Sequence, residues 1–121
     1  MSLNACWFEI PAADLDRAVL FYDHVFGVTL NRQLVDGHTM AFFPDDGSPG
    51  GAPGALAAGD SYVPARTGVR LYLACSDMDG VLTRAQAMGG SILYLRKALN
   101  ETTWVAEFED CEGNCIALLG S

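Results

Sequence analysis

Two short apolar stretches carry residues whose chemistry goes beyond packing: Trp7 and Glu9 in WFEI, and Arg70 and Tyr72 in RLYL. Alternation along a strand puts Trp7 and Glu9 on one face and Phe8 and Ile10 on the other. The same parity sets Arg70 and Tyr72 apart from Leu71 and Leu73. Glu9 and Tyr72 can exchange protons, which makes them candidate acid–base groups. Arg70 offers a planar fork of donors suited to a carboxylate or phosphate, and Trp7 a flat surface for the apolar part of a ligand. Cys115, Ala117 and Leu119 of the last strand are assigned to the same face, and Trp104, Ala106 and Phe108 are placed with them. The competing arrangement is a plugged core in which Trp7 and Tyr72 pack and Glu9 neutralises Arg70. A buried charge pair of that kind is costly.

Other reactive side chains carry weaker signals. His24 sits on the outer side of a helix, and His38 follows the Asp36-Gly37 turn signal at the start of a strand. Cys6, Cys75, Cys111 and Cys115 form no CxxC, and the CxxxC of Cys111 and Cys115 spans a turn. Reduced thiols are the plain reading. The glycine-rich PDDGSPGGAP segment, Pro44 to Pro53, has no following Lys-Ser/Thr and is not a phosphate-binding P-loop.

The elements that position these residues repeat. Trp7 to Gly27 reads as a strand, a cap, a helix and a glycine stop, with Asp14 as N-cap, Asp16 in the first turn, and Leu15, Ala18, Val19 and Tyr22 as the buried stripe. Arg70 to Gly90 matches at a constant offset of 63: Asp77 pairs with Asp14, Asp79 with Asp16, and Gly90 with Gly27. The stripe recurs as Met78, Val81, Leu82 and Ala85. After each helix come three further strand signals: Thr29–Val35, His38–Phe43 and Gly54–Ala58 in the first half, then Ser91–Arg96, Thr103–Glu109 and Cys115–Leu119. From Phe43 to Leu56 is 13 positions and from Phe108 to Leu118 is 10, so the first half's last loop is longer by three. The expected fold is therefore α+β, two βαβββ modules in one domain over 1–121, with module 1 at 5–58, a connector at 59–67 and module 2 at 68–120.

Composition bounds the function. A chain of 121 residues, half of them hydrophobic, forms one domain with a real core. A formal charge of −8 and a pI near 4.4 argue against nucleic acid and anionic membrane surfaces as partners. No apolar run reaches membrane-spanning length and no signal peptide is visible, so a cytoplasmic location is expected.

The paired modules resemble the vicinal oxygen chelate superfamily, which includes glyoxalase I, extradiol dioxygenases, fosfomycin-resistance enzymes and bleomycin-binding proteins. The matching residues are Asp14-Leu15, Phe21-Tyr22, Phe26-Gly27, Ser76-Asp77, Gly89-Gly90 and the ending Asp110-Cys111-Glu112-Gly113-Asn114-Cys115-Ile116-Ala117-Leu118. The FEIP opening, the PGGAPGAL segment and Tyr62-Val63-Pro64 are similar to the glyoxalase-like branch related to lactoylglutathione lyase. The resemblance implies a curved mixed sheet around a concave pocket, a homodimer, and a divalent metal held by the first and last strand of each module. Counting back seven residues from each capping aspartate gives Trp7 and Arg70; the positions before each closing leucine are Ala55 and Ala117. None of these four side chains can ligate a metal.

The expectation is a glyoxalase-like protein with no metal and no cofactor that binds or sequesters a small anionic or aromatic compound through Trp7, Glu9, Arg70, Tyr72, Trp104 and Ala117. The alternatives are a metal-independent lyase or isomerase using Glu9 and Tyr72, and an association protein with no pocket ligand.

Overall fold

The computed structural model describes residues 1–121. It contains β1 (Phe8–Pro11), α1 (Leu15–Phe26), β2 (Asn31–Val35), β3 (His38–Phe42) and β4 (Gly54–Ala57). The second half has β5 (Leu71–Cys75), α2 (Met78–Ala87), β6 (Ser91–Ala98), β7 (Trp104–Glu109) and β8 (Cys115–Gly120). The strands form two four-stranded sheets of identical topology, β1-β4-β3-β2 and β5-β8-β7-β6. In each, a parallel pair (β1 with β4, β5 with β8) is extended by antiparallel neighbours.

The register carries the repeat into the parallel strand pairs. Phe8 lies opposite Gly54 and Leu71 opposite Ile116; Glu9 lies opposite Ala55 and Tyr72 opposite Ala117. Both N-caps work as expected. The Asp14 carboxylate accepts from the Arg17 N–H at 3.1 Å, and the Asp77 carboxylate from the Gly80 N–H at 3.2 Å. Asp36 and Gly37 both take positive φ, the hairpin geometry their pairing predicts.

The two helices share one core. Ile10, Leu56 and Ala41 of the first sheet and Ile116, Leu118, Ala106 and Phe108 of the second point into a single cluster with Phe21, Tyr22, Val25, Val81 and Leu82. Each of the larger side chains fully buried there contributes roughly 1.5–3 kcal/mol by leaving water. The Phe21 and Phe108 rings meet at 6.1 Å between modules. Arg84 of α2 donates from Nε to the Val25 carbonyl at 2.9 Å, closing the C-terminal turn of α1.

The Gly89-Gly90 pair stops α2 as expected, but the one-to-one match of Gly90 with Gly27 does not hold: the helix ends two residues earlier than its counterpart, and Gly89 takes the positive φ of 96° where Gly27 has 64°. Gly90 is needed for another reason, since a Cβ there would lie 2.5 Å from the Glu109 carbonyl oxygen and 2.9 Å from that of Ala85. The face of β7 is also opposite to that expected. Glu107 pairs with Ala117 and Glu109 with Cys115, so Trp104, Ala106 and Phe108 turn toward the helices.

Candidate functional site on the sheet face away from the helices

The first module's outer sheet face is an aromatic cluster around one carboxylate. The Trp7 indole N–H donates to Glu9 Oε2 at 3.1 Å, and the Tyr62 hydroxyl donates to Glu9 Oε1 at 2.9 Å. Trp7 and Phe42 rings lie 5.3 Å apart. Beneath them Met40, Ala55 and Ala57 form a small buried cluster against which Phe42 and Tyr62 pack. Tyr62 belongs to the connector and folds back over the sheet it follows; hydrogen bonding to Glu9 raises its phenol pKa. Its part in the cluster was not read from the sequence, where Tyr62-Val63-Pro64 was noted only as a family resemblance. The signal was an aromatic residue in a short, proline-containing connector.

The second module's outer face is more open. Tyr72 and Leu119 are exposed there. Arg70 Nη1 donates to Glu107 Oε2 at 3.0 Å, and the Tyr72 hydroxyl followed by the Glu107 carboxylate raises the guanidinium's pKa. Burial first, then Glu107, pushes the Cys115 thiol up. Arg66 pairs with Glu109 at 2.9 Å. Thus Glu9 does not neutralise Arg70. Glu107, which the expected parity of β7 had turned toward the helices, takes that place. Trp104 lies on the other side of the sheet, packed on the core under the Arg96 guanidinium, 3.8 Å from its ring centre. Its register opposite Gly120 removes it from the site. His24 and His38 are both exposed.

Between the modules, β1, β5 and the connector border a cavity of about 170 Å³ that includes Glu9 and Cys115 on one side and Ile10, Leu71 and Ile116 on the other. Its end is closed by a polar node. Asn114 donates from Nδ2 to the Pro11 carbonyl at 2.7 Å and accepts from the Ala65 N–H at 3.2 Å. Asp110, 2 % exposed, accepts from the N–H groups of Glu112, Gly113 and Asn114 through Oδ1, and from the Tyr22 hydroxyl through Oδ2. Beside it the Glu112 carboxylate takes a two-pronged grip from Arg17 and a 2.8 Å bond from the Asp14 N–H. The turn residues Asp110 to Asn114 therefore fasten module to module.

A divalent ion does not suit the residues that line the sheet faces. Trp7, Ala55, Arg70 and Ala117 stand at the four positions that the family resemblance implies for ligands, and none has a suitable donor. No three His, Cys, Asp or Glu side chains gather closely enough to hold a metal. The nearest carboxylates, Glu9 and Glu107, are already engaged by Trp7 with Tyr62 and by Arg70.

This architecture is the fold of the glyoxalase/bleomycin resistance proteins. A glyoxalase/bleomycin resistance protein from Streptomyces sp. CB03234 superposes with a TM-score of 0.72 at 23% identity, over 95% of this chain and 98% of that one. The protein of the same description from Albidiferax ferrireducens T118 gives 0.71 at 18% identity, over 95% and 96%. A glyoxalase I variant from Zea mays gives 0.67 at 20% identity, and the chain, 95% covered, spans 45% of that protein. Residues 5–43 match the bleomycin resistance protein-like N-terminal family. That match and the fold agree with the resemblance to the vicinal oxygen chelate superfamily. No curated protein matches the sequence. No helix is long and apolar enough to cross a membrane.

Proposed function

We propose that the protein binds a small organic compound on the outer sheet faces, that it does so without a metal, and that it acts as a homodimer. The observation that supports this reading best is the cluster of Trp7, Phe42 and Tyr62 around Glu9, with Trp7 at a position that the family resemblance implies for a metal ligand. Aromatic walls with a few placed polar groups are the usual composition of a small-molecule site. Proteins of this fold carry the bleomycin resistance description, which fits sequestration of a compound as well as its conversion. Arg70 spends its fork on Glu107, whereas Glu9 has no cation beside it. This favours an aromatic or donor-bearing ligand over an anionic one.

A lyase or isomerase built on Glu9 and Tyr72 is less well supported, because both oxygens of Glu9 already accept hydrogen bonds within the chain. Support for the dimer comes from the exposed apolar side chains Tyr72, Tyr94 and Leu119 on the second module's outer face. Such a face is a usual place for a partner. A thermal-shift screen of organic compounds on metal-free protein, repeated with Trp7→Ala, tests the binding reading.

A further inference from the structure

The cavity between β1 and β5 has a twin under the internal repeat. Ile10 and Pro11 on its wall correspond to Leu73 and Ala74, which line a second cavity at the far end of β5. Likewise Leu71 corresponds to Phe8, and Asn114, Cys115 and Ile116 to Ala52, Pro53 and Gly54, in agreement with the register of the two parallel strand pairs.

The twins differ in size, about 400 Å³ for the second against about 170 Å³ for the first. Two departures from symmetry account for it. The first cavity is bordered by Val63, Ala65 and Thr67 of the connector and by Val69, whereas none of Met1–Cys6, the corresponding stretch before β1, borders the second. The first is also bridged by Asn114, where the second has Ala52 at the end of a loop three residues longer. What remains is a cleft walled by Phe8, Phe26 and Phe43, with Val28 and Leu73 at its base and Asp45 and Asp46 at its rim. The Phe8 and Phe43 rings stand 5.7 Å apart. Each aspartate uses one oxygen to hold its own loop, accepting from the N–H of Gly47 or Ser48 at 2.9 Å, and neither forms an ion pair.

We propose that this cleft is a second ligand site, separate from the outer sheet faces, for a small aromatic compound carrying a protonated amine. The volume falls in the range of small-molecule pockets, roughly 300–1,000 Å³. The phenylalanines receive the ring, and the free oxygens of Asp45 and Asp46 meet the ammonium group. The proposal stands apart from the sheet-face reading, since the two sites share no lining residue.

Phenethylamine and its charge-reversed counterpart phenylpropionate are the probes, followed by NMR shifts of assigned resonances. Phenethylamine is expected to shift Phe43, Leu73 and Ala52 saturably, and to bind at least about tenfold more tightly than phenylpropionate. The double variant Asp45→Asn/Asp46→Asn, at exposed positions, is expected to erase that preference with the melting temperature unchanged. Ala52→Trp fills the cleft and is expected to abolish the shifts. Equal affinity for the two probes, or shifts confined to Trp7 and Phe42, would overturn the proposal. So would contacts between the Leu3 methyls and the Phe43 ring in the free protein, since the chain's own N-terminal segment would then occupy the cleft.

Discussion

The Tyr22 hydroxyl in the first module donates a 2.6 Å hydrogen bond to Asp110 Oδ2 in the second, with both side chains withdrawn from solvent. Burial first, and then the Asp110 charge, lifts the phenol's pKa well above its ordinary value, so Tyr22 stays a donor. Asp110 also organises the turn that carries Glu112 and Asn114, so one bond links the core of one half to the fastening of the other. Tyr22→Phe removes the donor and leaves a buried carboxylate oxygen one partner short. A loss of about 1–3 kcal/mol is expected in urea unfolding, with both modules unfolding together.

Glu112 makes stability depend on acid. Burial alone would raise its carboxyl pKa, but the Arg17 hydrogen bond, followed by the Asp14 N–H and Cys111, carries it below the ordinary 4.5. A depressed folded pKa contributes stability that is present above the unfolded value and is lost as pH falls through the folded one. Wild type is therefore expected to exceed Glu112→Gln in stability near neutrality. The gap should close as pH drops below about 4.5, read by thermal unfolding across pH.

The proposed homodimer would pair through the open face of the second module. Light scattering at micromolar concentration is expected to give twice the chain mass of 12.9 kDa. Leu119→Asp, which charges an exposed position on that face, is expected to give the monomer with the far-ultraviolet circular dichroism unchanged. A monomeric wild type would remove the dimer from the account.

Much of the fold was legible because the local signals agree with one another: a capping aspartate, a helical stripe and alternating strands recur at one offset. The errors came where neighbours, not the segment itself, decide. The stop of α2 was legible as Gly89-Gly90, but the separate tasks of the two adjacent glycines show only in the approach of Glu109 and Ala85 to Gly90. Trp104 was put on the wrong face because β7 was read without its pairing to β8, although WVAEFE already separates Trp104, Ala106 and Phe108 from two glutamates. Asp110 and Asn114 were read as turn residues. That they hold Tyr22, Pro11 and Ala65 depends on contacts across up to 103 positions of chain. At the sheet face, Trp7 and Glu9 were found together, but the Tyr62 lid and the Glu107 partner of Arg70 come from other segments.

The central claim is metal-free recognition at the outer sheet face, and calorimetric titration of chelator-treated protein tests it most directly. The titrant is the strongest hit from the thermal-shift screen, and Trp7→Ala is titrated alongside wild type. Binding to the metal-free wild type is predicted, with at least about tenfold loss in Trp7→Ala and little change in that variant's unfolding midpoint. Binding that appears only after zinc, nickel or manganese is restored, or that is undiminished in Trp7→Ala, would contradict it.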